Sequence, residues 1–374
     1  MTADAPRRAG APASAVPRPA GSDDARLLVD GAEVARYVLA PELAPRHGPR
    51  PYLHPVRTLA GTVVTDALPE DHVWHLGASL AVQDVAGSNL WGGRTYVRDA
   101  GYTWRDDHGR IVHTGWTERA DDVLAHRLQW RDPAGGVLLT EHRRITAAPV
   151  PVAPVSAAPL PVAPGAWRLE LRYALTAPVD RDVPLGSPAT NGRPGGAGYG
   201  GFFWRAVAAD PPQVFTAYAD GEESVNGSDA PWVALTGTGP GGGAYTLVFT
   251  GLGPGDRWFV RTAMYPGVCV AFAFDTPAVV PAGGSRHGRH TVTVADGILD
   301  RAAAAALAAE ADAAAERDPG LPADPGSPAD PGSPADPGFP ADPGSPAGPG
   351  FPAGLGGLAG EGGPAGAGGP GGVP

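Results

Sequence analysis

The sequence contains no lysine, so all 28 basic residues are arginine, and they form no basic stripe. The net charge is −11 at pH 7, and the five aspartates and one glutamate after residue 317 supply more than half of it. Proteins that bind a phosphate backbone need clustered positive charge. We therefore expect no nucleic-acid partner.

Cysteine is nearly absent as well. The single residue, Cys269, excludes an intrachain disulfide and a cysteine zinc cage, and its apolar setting V-C-V-A-F-A-F predicts a small buried hydrophobe. No apolar run approaches the ~18 residues of a membrane span. Arg7 and Arg8 are not followed by an apolar segment. These absences predict a cytoplasmic protein without a membrane partner.

Both ends of the chain differ in composition from the middle. Residues 1–25 are rich in Ala, Pro and Arg, and residues 318–374 repeat the hexapeptide P-A-D-P-G-S before a Gly-rich end. Such segments bury too little apolar surface to offset the entropy of ordering, so both are predicted to be disordered. One β-sandwich domain over 26–300 and an Ala-rich helix over 301–317 remain.

Strand patterns fill the middle of the chain. Alternation is clearest from Trp167 to Leu175, and Asp30-Gly31 between apolar runs predicts a hairpin. Pro55 predicts that residues 52–58 lie at an edge or strand end. The D-D-H-G segment at 106–109 predicts a turn joining strands at 94–104 and 110–117. With one helix capped by Asp300, the pattern predicts an all-β fold, a large antiparallel β-sandwich.

Candidate chemistry concentrates in residues 50–116, which hold five of the ten histidines and four of the nine tryptophans. The D-H-V-W-H segment carries Asp71, His72 and His75 in a loop before a strand. Histidine titrates nearest neutrality, and Asp71 could fix a histidine tautomer. The alternative is that one histidine caps backbone and the other packs on Trp74. His54, at a predicted strand end, completes the predicted catalytic set.

Other residues of suitable chemistry could hold a substrate. Aromatic rings beside Arg, Asp and His suit a sugar, which offers an apolar face and many hydroxyls. The candidates are Trp91, Arg94, Asp107, His108, His113, Tyr199, Arg205 and Arg261. His108 could equally be a solvated turn residue, and His113 a core histidine. No H-x-H, H-E-x-x-H or C-x-x-C pair occurs, so we predict no cofactor, with a divalent metal as the alternative.

Several motifs together carry a family resemblance over about residues 27–300. They are R-P-Y-L-H-P-V, D-H-V-W-H-L-G, N-L-W-G-G-R-T-Y, G-Y-G-G-F-F-W-R, and Y-P-G-V with A-F-A-F-D. The chain resembles a bacterial family of unknown function labelled methane oxygenase PmoA-like. That family's D-H-P-H-H-R-G appears here with Trp74 and Leu76 in place of its second His and its Arg. The resemblance implies His54, Asp71, His72 and His75 as site residues.

The strand pattern and the ending of the domain are also similar to galactose-mutarotase-like supersandwiches. Those proteins act on carbohydrates with His and carboxylate acid–base pairs, so the similarity implies a sugar as substrate. We therefore predict an enzyme that moves a proton on a sugar or oxidised sugar, of epimerase, lyase or hydrolase type. The alternatives are a non-catalytic carbohydrate-binding module and a metal-dependent oxidoreductase. The sequence indicates no oligomeric state.

Overall fold

The structure is a computed structural model that describes residues 24–151 and 165–317. The predictions of disorder for residues 1–23 and 318–374 lie outside the described residues. Twenty strands fill the described ranges. In chain order they are β1 (Ala25–Val29), β2 (Ala32–Val38), β3 (Tyr52–Val56), β4 (Ala78–Ala81), β5 (Asp84–Val85), β6 (Thr95–Val97), β7 (Gly101–Thr103), β8 (Arg110–Arg119), β9 (Val123–Arg131), β10 (Val137–Pro149), β11 (Ala166–Thr176), β12 (Val183–Gly186), β13 (Gly201–Arg205), β14 (Gln213–Thr216), β15 (Trp232–Thr238), β16 (Ala244–Thr250), β17 (Arg257–Arg261), β18 (Gly267–Ala271), β19 (Ala278–Val280) and β20 (Ser285–Asp296).

Two large antiparallel sheets dominate the fold. One has seven strands in the order β1-β2-β3-β4-β13-β18-β17, and the other has eight in the order β14-β15-β16-β20-β11-β10-β9-β8. Smaller sheets are β19-β12-β5 and the β6–β7 hairpin. The predicted fold class, an all-β antiparallel sandwich of supersandwich size with a C-terminal helix, is confirmed.

The core lies between the two large sheets, where alternate residues of each strand point inward. Trp167, Leu169 and Tyr173 on β11 are fully or almost fully buried. They share one apolar cluster with Phe202 and Trp204 on β13. Burial of side chains this large supplies the main stabilisation of such a sandwich.

A buried polar network interrupts this core. Glu141 accepts hydrogen bonds from Trp130 Nε1 at 2.7 Å and from Arg143 Nε at 2.6 Å. Arg143 Nη1 also donates to the Tyr37 hydroxyl at 2.9 Å, and that hydroxyl lies 3.0 Å from His126 Nε2. Because each charge has a partner, the network can stay buried.

Two details of the strand layout differ from the sequence-based prediction, and one short helix was not predicted. Strand β3 lies inside the seven-stranded sheet and not at its edge, and Pro55 stands next to its last residue, where the β2–β3 register shifts, so of the two predicted positions the strand end fits. Strand β7 pairs with β6 and not with β8, since Asp99 and Gly101 turn the chain back with positive φ. A short helix, α1 (Gly221–Val225), was not predicted.

The C-terminal helix α2 (Arg301–Arg317) follows its predicted cap. Asp300 Oδ1 accepts a hydrogen bond from Ala303 N at 2.8 Å. Ala304 and Ala308 pack on Trp232 and neighbouring side chains of the eight-stranded sheet. Alanine is small, so the helix can lie close to that sheet.

The outer face of the seven-stranded sheet carries a second apolar layer. Phe203 on β13 pairs in register with Ser79 on β4 and with Cys269 on β18. Phe203, Phe259 and Cys269 form a separate cluster that Trp91 and Tyr265 cover. Burial raises the pKa of the Cys269 thiol to about 12, and the prediction of a small buried residue is confirmed.

Candidate active site

A tight turn before β4 brings His72 and His75 together. His75 N donates to His72 O at 2.8 Å, and His72 N donates to Pro69 O at 3.0 Å. The two imidazole rings stack with their centroids 4.7 Å apart. The spacing of three residues in non-helical backbone therefore places both rings on one side of the loop.

Asp71 and His72 form a carboxylate–imidazole pair. Asp71 Oδ2 lies 2.7 Å from His72 Nδ1, so the carboxylate fixes Nδ1 as the protonated nitrogen. Burial raises the pKa of Asp71, but the hydrogen bond and charge of His72 outweigh it and hold that pKa below its usual value. The His72 side chain is 25% exposed. Its Nε2 is thus left to act as a base or acid.

His75 occupies a drier position beneath this pair. It is 2% exposed, and its ring contacts those of Tyr265, Phe203 and Trp91 with centroids 4.8, 5.0 and 6.0 Å away. Burial, reinforced by the charges of His72 and Arg205, lowers the pKa of His75 well below its usual value. His75 is therefore neutral at pH 7.

Arg205 connects the histidines to a second carboxylate. Its Nη1 lies 3.4 Å from His75 Nδ1, its Nε lies 3.6 Å from Asp66 Oδ2, and its guanidinium stacks 4.7 Å above the Tyr265 ring. His54 lies nearby on β3 with Nδ1 3.0 Å from Thr65 Oγ1. Burial lowers the pKa of His54, and the charge of Asp66 opposes that shift. The hydrogen bond of His54 is thus to Thr65, and Asp66 acts on His54 through its charge.

Arg50 ties the loops of the site to the sheet. Its guanidinium, fully buried, donates to Ser79 Oγ at 3.1 Å and to the carbonyl oxygens of Gly48, Trp91 and Trp74 at 2.9, 2.8 and 3.0 Å. Burial lowers the pKa of Arg50 to about 9. Its four acceptors favour the charged form, which holds the Trp74 and Trp91 segments in fixed relation.

An aromatic rim borders the histidine pair. Trp74 contacts His72 and also Trp104, whose ring centroid lies 6.3 Å away. Trp104 is 49% exposed, and the guanidinium carbons of Arg46 and Arg94 lie 5.7 and 5.9 Å from its ring centroid. The rim therefore offers an exposed indole with cationic fork donors beside it.

Two glycines allow Trp74 to lie where it does. A Cβ atom on Gly93 would sit 2.5 Å from the Trp74 indole, and one on Gly92 would sit 2.7 Å from Trp74 Cβ. Both glycines have positive φ, at 73° and 101°. Only glycine fits both the conformation and the close approach.

Trp91 and Tyr199 belong to the buried layer below the rim. Trp91 is 2% exposed and its ring lies 4.8 Å from that of Tyr199. The Tyr199 hydroxyl lies 3.0 Å from that of Tyr102. The exposed indole next to Arg94 is therefore that of Trp104 and not that of Trp91.

The remaining predicted residues lie apart from the histidine pair. Asp107 accepts from Thr95 Oγ1 at 3.2 Å, and buried His108 has Nε2 2.6 Å from Gly93 O, so His108 is not a solvated turn residue. His113 belongs to the eight-stranded sheet and stacks on His126. Arg261 lies 3.6 Å from Glu222 and donates to Gly196 O.

Sequence reasoning missed Arg50 and Asp66 as members of the candidate set. Each had only a weak signal: Arg50 opens the R-P-Y-L-H-P-V motif, and Asp66 ends the run T-V-V-T-D. Across residues 24–151 and 165–317, no three His, Cys, Asp or Glu side chains are grouped to hold a metal ion. No helix in those same ranges is long and apolar enough to cross a membrane.

Comparison with curated proteins gives no match. A solved structure from Escherichia coli K12, of a protein provisionally named an aldose 1-epimerase, aligns with 10% identity over 73% of this chain and 98% of its own, with a TM-score of 0.37. A likeness of that size says nothing about what this chain acts on. The profile of the Family of unknown function (DUF6807) matches residues 24–309. That match spans most of the sequence, and the chain therefore belongs to the Family of unknown function DUF6807.

Proposed function

We propose that this protein is an enzyme that transfers a proton on a sugar or oxidised sugar. The observation that carries the proposal is the Asp71–His72 pair, with Oδ2 and Nδ1 2.7 Å apart and the ring partly exposed. A carboxylate that orients an imidazole and stabilises its cation is a recurrent device of general acid–base catalysis.

Each residue of the cluster has a role in this proposal. His72 Nε2 takes a proton from the bound sugar, while Asp71 retains the proton on Nδ1 and stabilises the imidazolium. Arg205 offers positive charge against the negative charge that develops on the substrate. His75 stays neutral and packs beneath His72, and Asp66 lies beside Arg205.

The sugar as substrate class rests on the rim. Trp104 offers a half-exposed indole to the apolar face of a sugar ring. The guanidinium groups of Arg46 and Arg94 lie over the indole and can donate hydrogen bonds to the hydroxyl or carboxylate oxygens of a sugar. The same arrangement favours a second candidate, a carbohydrate-binding module without catalysis, because an exposed indole binds a sugar without a base.

Deuterium exchange tests the enzyme proposal directly. The protein is incubated in D2O with aldoses, ketoses, uronic acids and sugar lactones, and loss of C–H signals is followed by proton NMR. Wild-type protein should exchange one carbon-bound proton of its substrate. His72→Ala and Asp71→Asn should slow that exchange, His72→Ala by roughly 10²–10⁴-fold. His287→Ala, an exposed histidine on β20, is the matched control and should exchange at the wild-type rate.

The outcomes separate the two candidates. Unchanged exchange in His72→Ala removes His72 from the mechanism. A sugar that binds wild-type protein, loses binding in Trp104→Ala and never exchanges a proton favours the binding module.

A further inference from the structure

A polar cleft of about 320 Å³ opens beside the β6–β7 hairpin. Its walls come from β5, from β6 and from the turn after β12, and none of the four residues predicted to be catalytic lines it. Small-molecule pockets have volumes of roughly 300–1,000 Å³, so the cleft can hold one small ligand.

Gln83 lies at this cleft with an unpaired amide. The residue is 1% exposed, and neither its Oε1 nor its Nε2 has a hydrogen-bond partner among the described residues. Buried amides are ordinarily paired, because a buried polar group without a partner is costly. Gln83, at the wall of the cleft, therefore holds an acceptor and a donor group that a ligand could satisfy.

The polar groups of the walls are held in place by one another. Asp84 accepts from Gly87 N at 2.8 Å and from Asn191 Nδ2 at 3.0 Å. Thr95 Oγ1 donates to Asp107 at 3.2 Å. Groups fixed in this way are organised before a ligand arrives, which reduces the entropy lost on binding.

The charges lining the cleft cancel. Asp84 and Asp107 face Arg98 and Arg105, and Arg105 Nε lies 3.3 Å from Asp107 Oδ2. A cleft without net charge favours a neutral ligand. Hydroxyl groups both donate and accept, so adjacent hydroxyls match the amide of Gln83 and the lone pairs that remain on the carboxylates.

We propose that this cleft is a second binding site, which takes a neutral sugar or polyol with the Gln83 amide as its central contact. The proposal does not depend on the chemistry of His72, because the cleft and the Asp71–His72 pair share no residue.

Calorimetric titration and saturation-transfer NMR of the full-length protein test this proposal, with glucose, galactose, mannose, inositol, sorbitol and glycerol as probes. Wild-type protein should bind at least one of them. Gln83→Leu should weaken binding by roughly tenfold or more, because the ligand hydroxyls lose both partners. Asn191→Ala should also weaken ligand binding, and this variant takes the place of Gln83→Leu in the test if Gln83→Leu does not fold. His287→Ala, an exposed histidine outside both sites, is the matched control and should bind as wild type does.

Three results overturn the proposal. One is that no neutral sugar or polyol of the panel binds wild-type protein. Another is that binding survives in Gln83→Leu and is lost in His72→Ala. The third is a high-resolution structure, determined at saturating ligand, in which only water pairs with the Gln83 amide. Binding at the cleft in His72→Ala, together with lost proton exchange, supports both sites independently.

Discussion

Replacing Arg50 by Met tests the idea that one buried guanidinium fixes the loops of the candidate site. The change leaves three carbonyl oxygens without a hydrogen-bond donor. They are those of Gly48, Trp74 and Trp91, which accept from Arg50 at 2.8–3.0 Å in the wild-type protein. Each unpaired buried acceptor costs roughly 1–3 kcal/mol. Removing a buried charge offsets part of this loss, since burial already lowers the pKa of Arg50 to about 9. We expect a net loss of about 2–5 kcal/mol in the free energy of unfolding.

Urea unfolding followed by tryptophan fluorescence measures this loss. Arg46→Met is the matched control, because Arg46 lies in the same loop but is exposed and stacks only on Trp104. It should change the free energy of unfolding by no more than about 0.5 kcal/mol. Arg50→Lys keeps the charge without the planar fork and should fall between wild type and Arg50→Met. Equal losses in Arg50→Met and Arg46→Met would refute the reasoning.

Three further predictions concern the core and the rim. Glu141→Gln leaves Arg143 buried beside a neutral amide and should cost about 3–5 kcal/mol in urea titrations, whereas Glu141→Leu with Arg143→Met should recover most of that loss. Burial lowers the pKa of His126 to about 2 and that of His290 to about 4. Only the unfolded chain binds these protons below about pH 6.5, so stability should fall towards pH 4 by up to ~1.4 kcal/mol per pH unit for each histidine, and a flat profile of urea midpoints contradicts this. Trp104→Ala should weaken sugar binding by about tenfold with little change in melting temperature, and unchanged affinity excludes the indole as a platform.

Local patterns predicted most of the elements. The alternation from Trp167 to Leu175, the Asp30-Gly31 turn and the Asp300 cap each depend on neighbouring residues, and each is present in the structure. Strand pairing was harder to predict from the sequence. Whether β7 pairs with β6 or β8 depends on the left-handed residues Asp99 and Gly101, because alternation alone fits both partners.

The sequence indicated the loop that holds the candidate site but not the contacts around it. The D-H-V-W-H loop indicated His72 and His75, whose approach follows from a turn within the loop. Arg205 and Tyr265 reach the same point from β13 and from the segment before β18, so only the sheet order brings them there. The sequence did not indicate that the amide of Gln83 would be unpaired, since a glutamine in an apolar run is typical of an ordinary strand.

The backbone at Gly92 and Gly93 has a consequence for redesign. A side chain at position 93 would contact the indole of Trp74 first, since a Cβ atom there would lie 2.5 Å from that ring. Gly93→Ala should therefore tilt one wall of the rim and leave the sandwich intact, apart from the strain of a positive φ. Position 93 is therefore a place where a protein engineer can shift the Trp74 indole by changing a single residue.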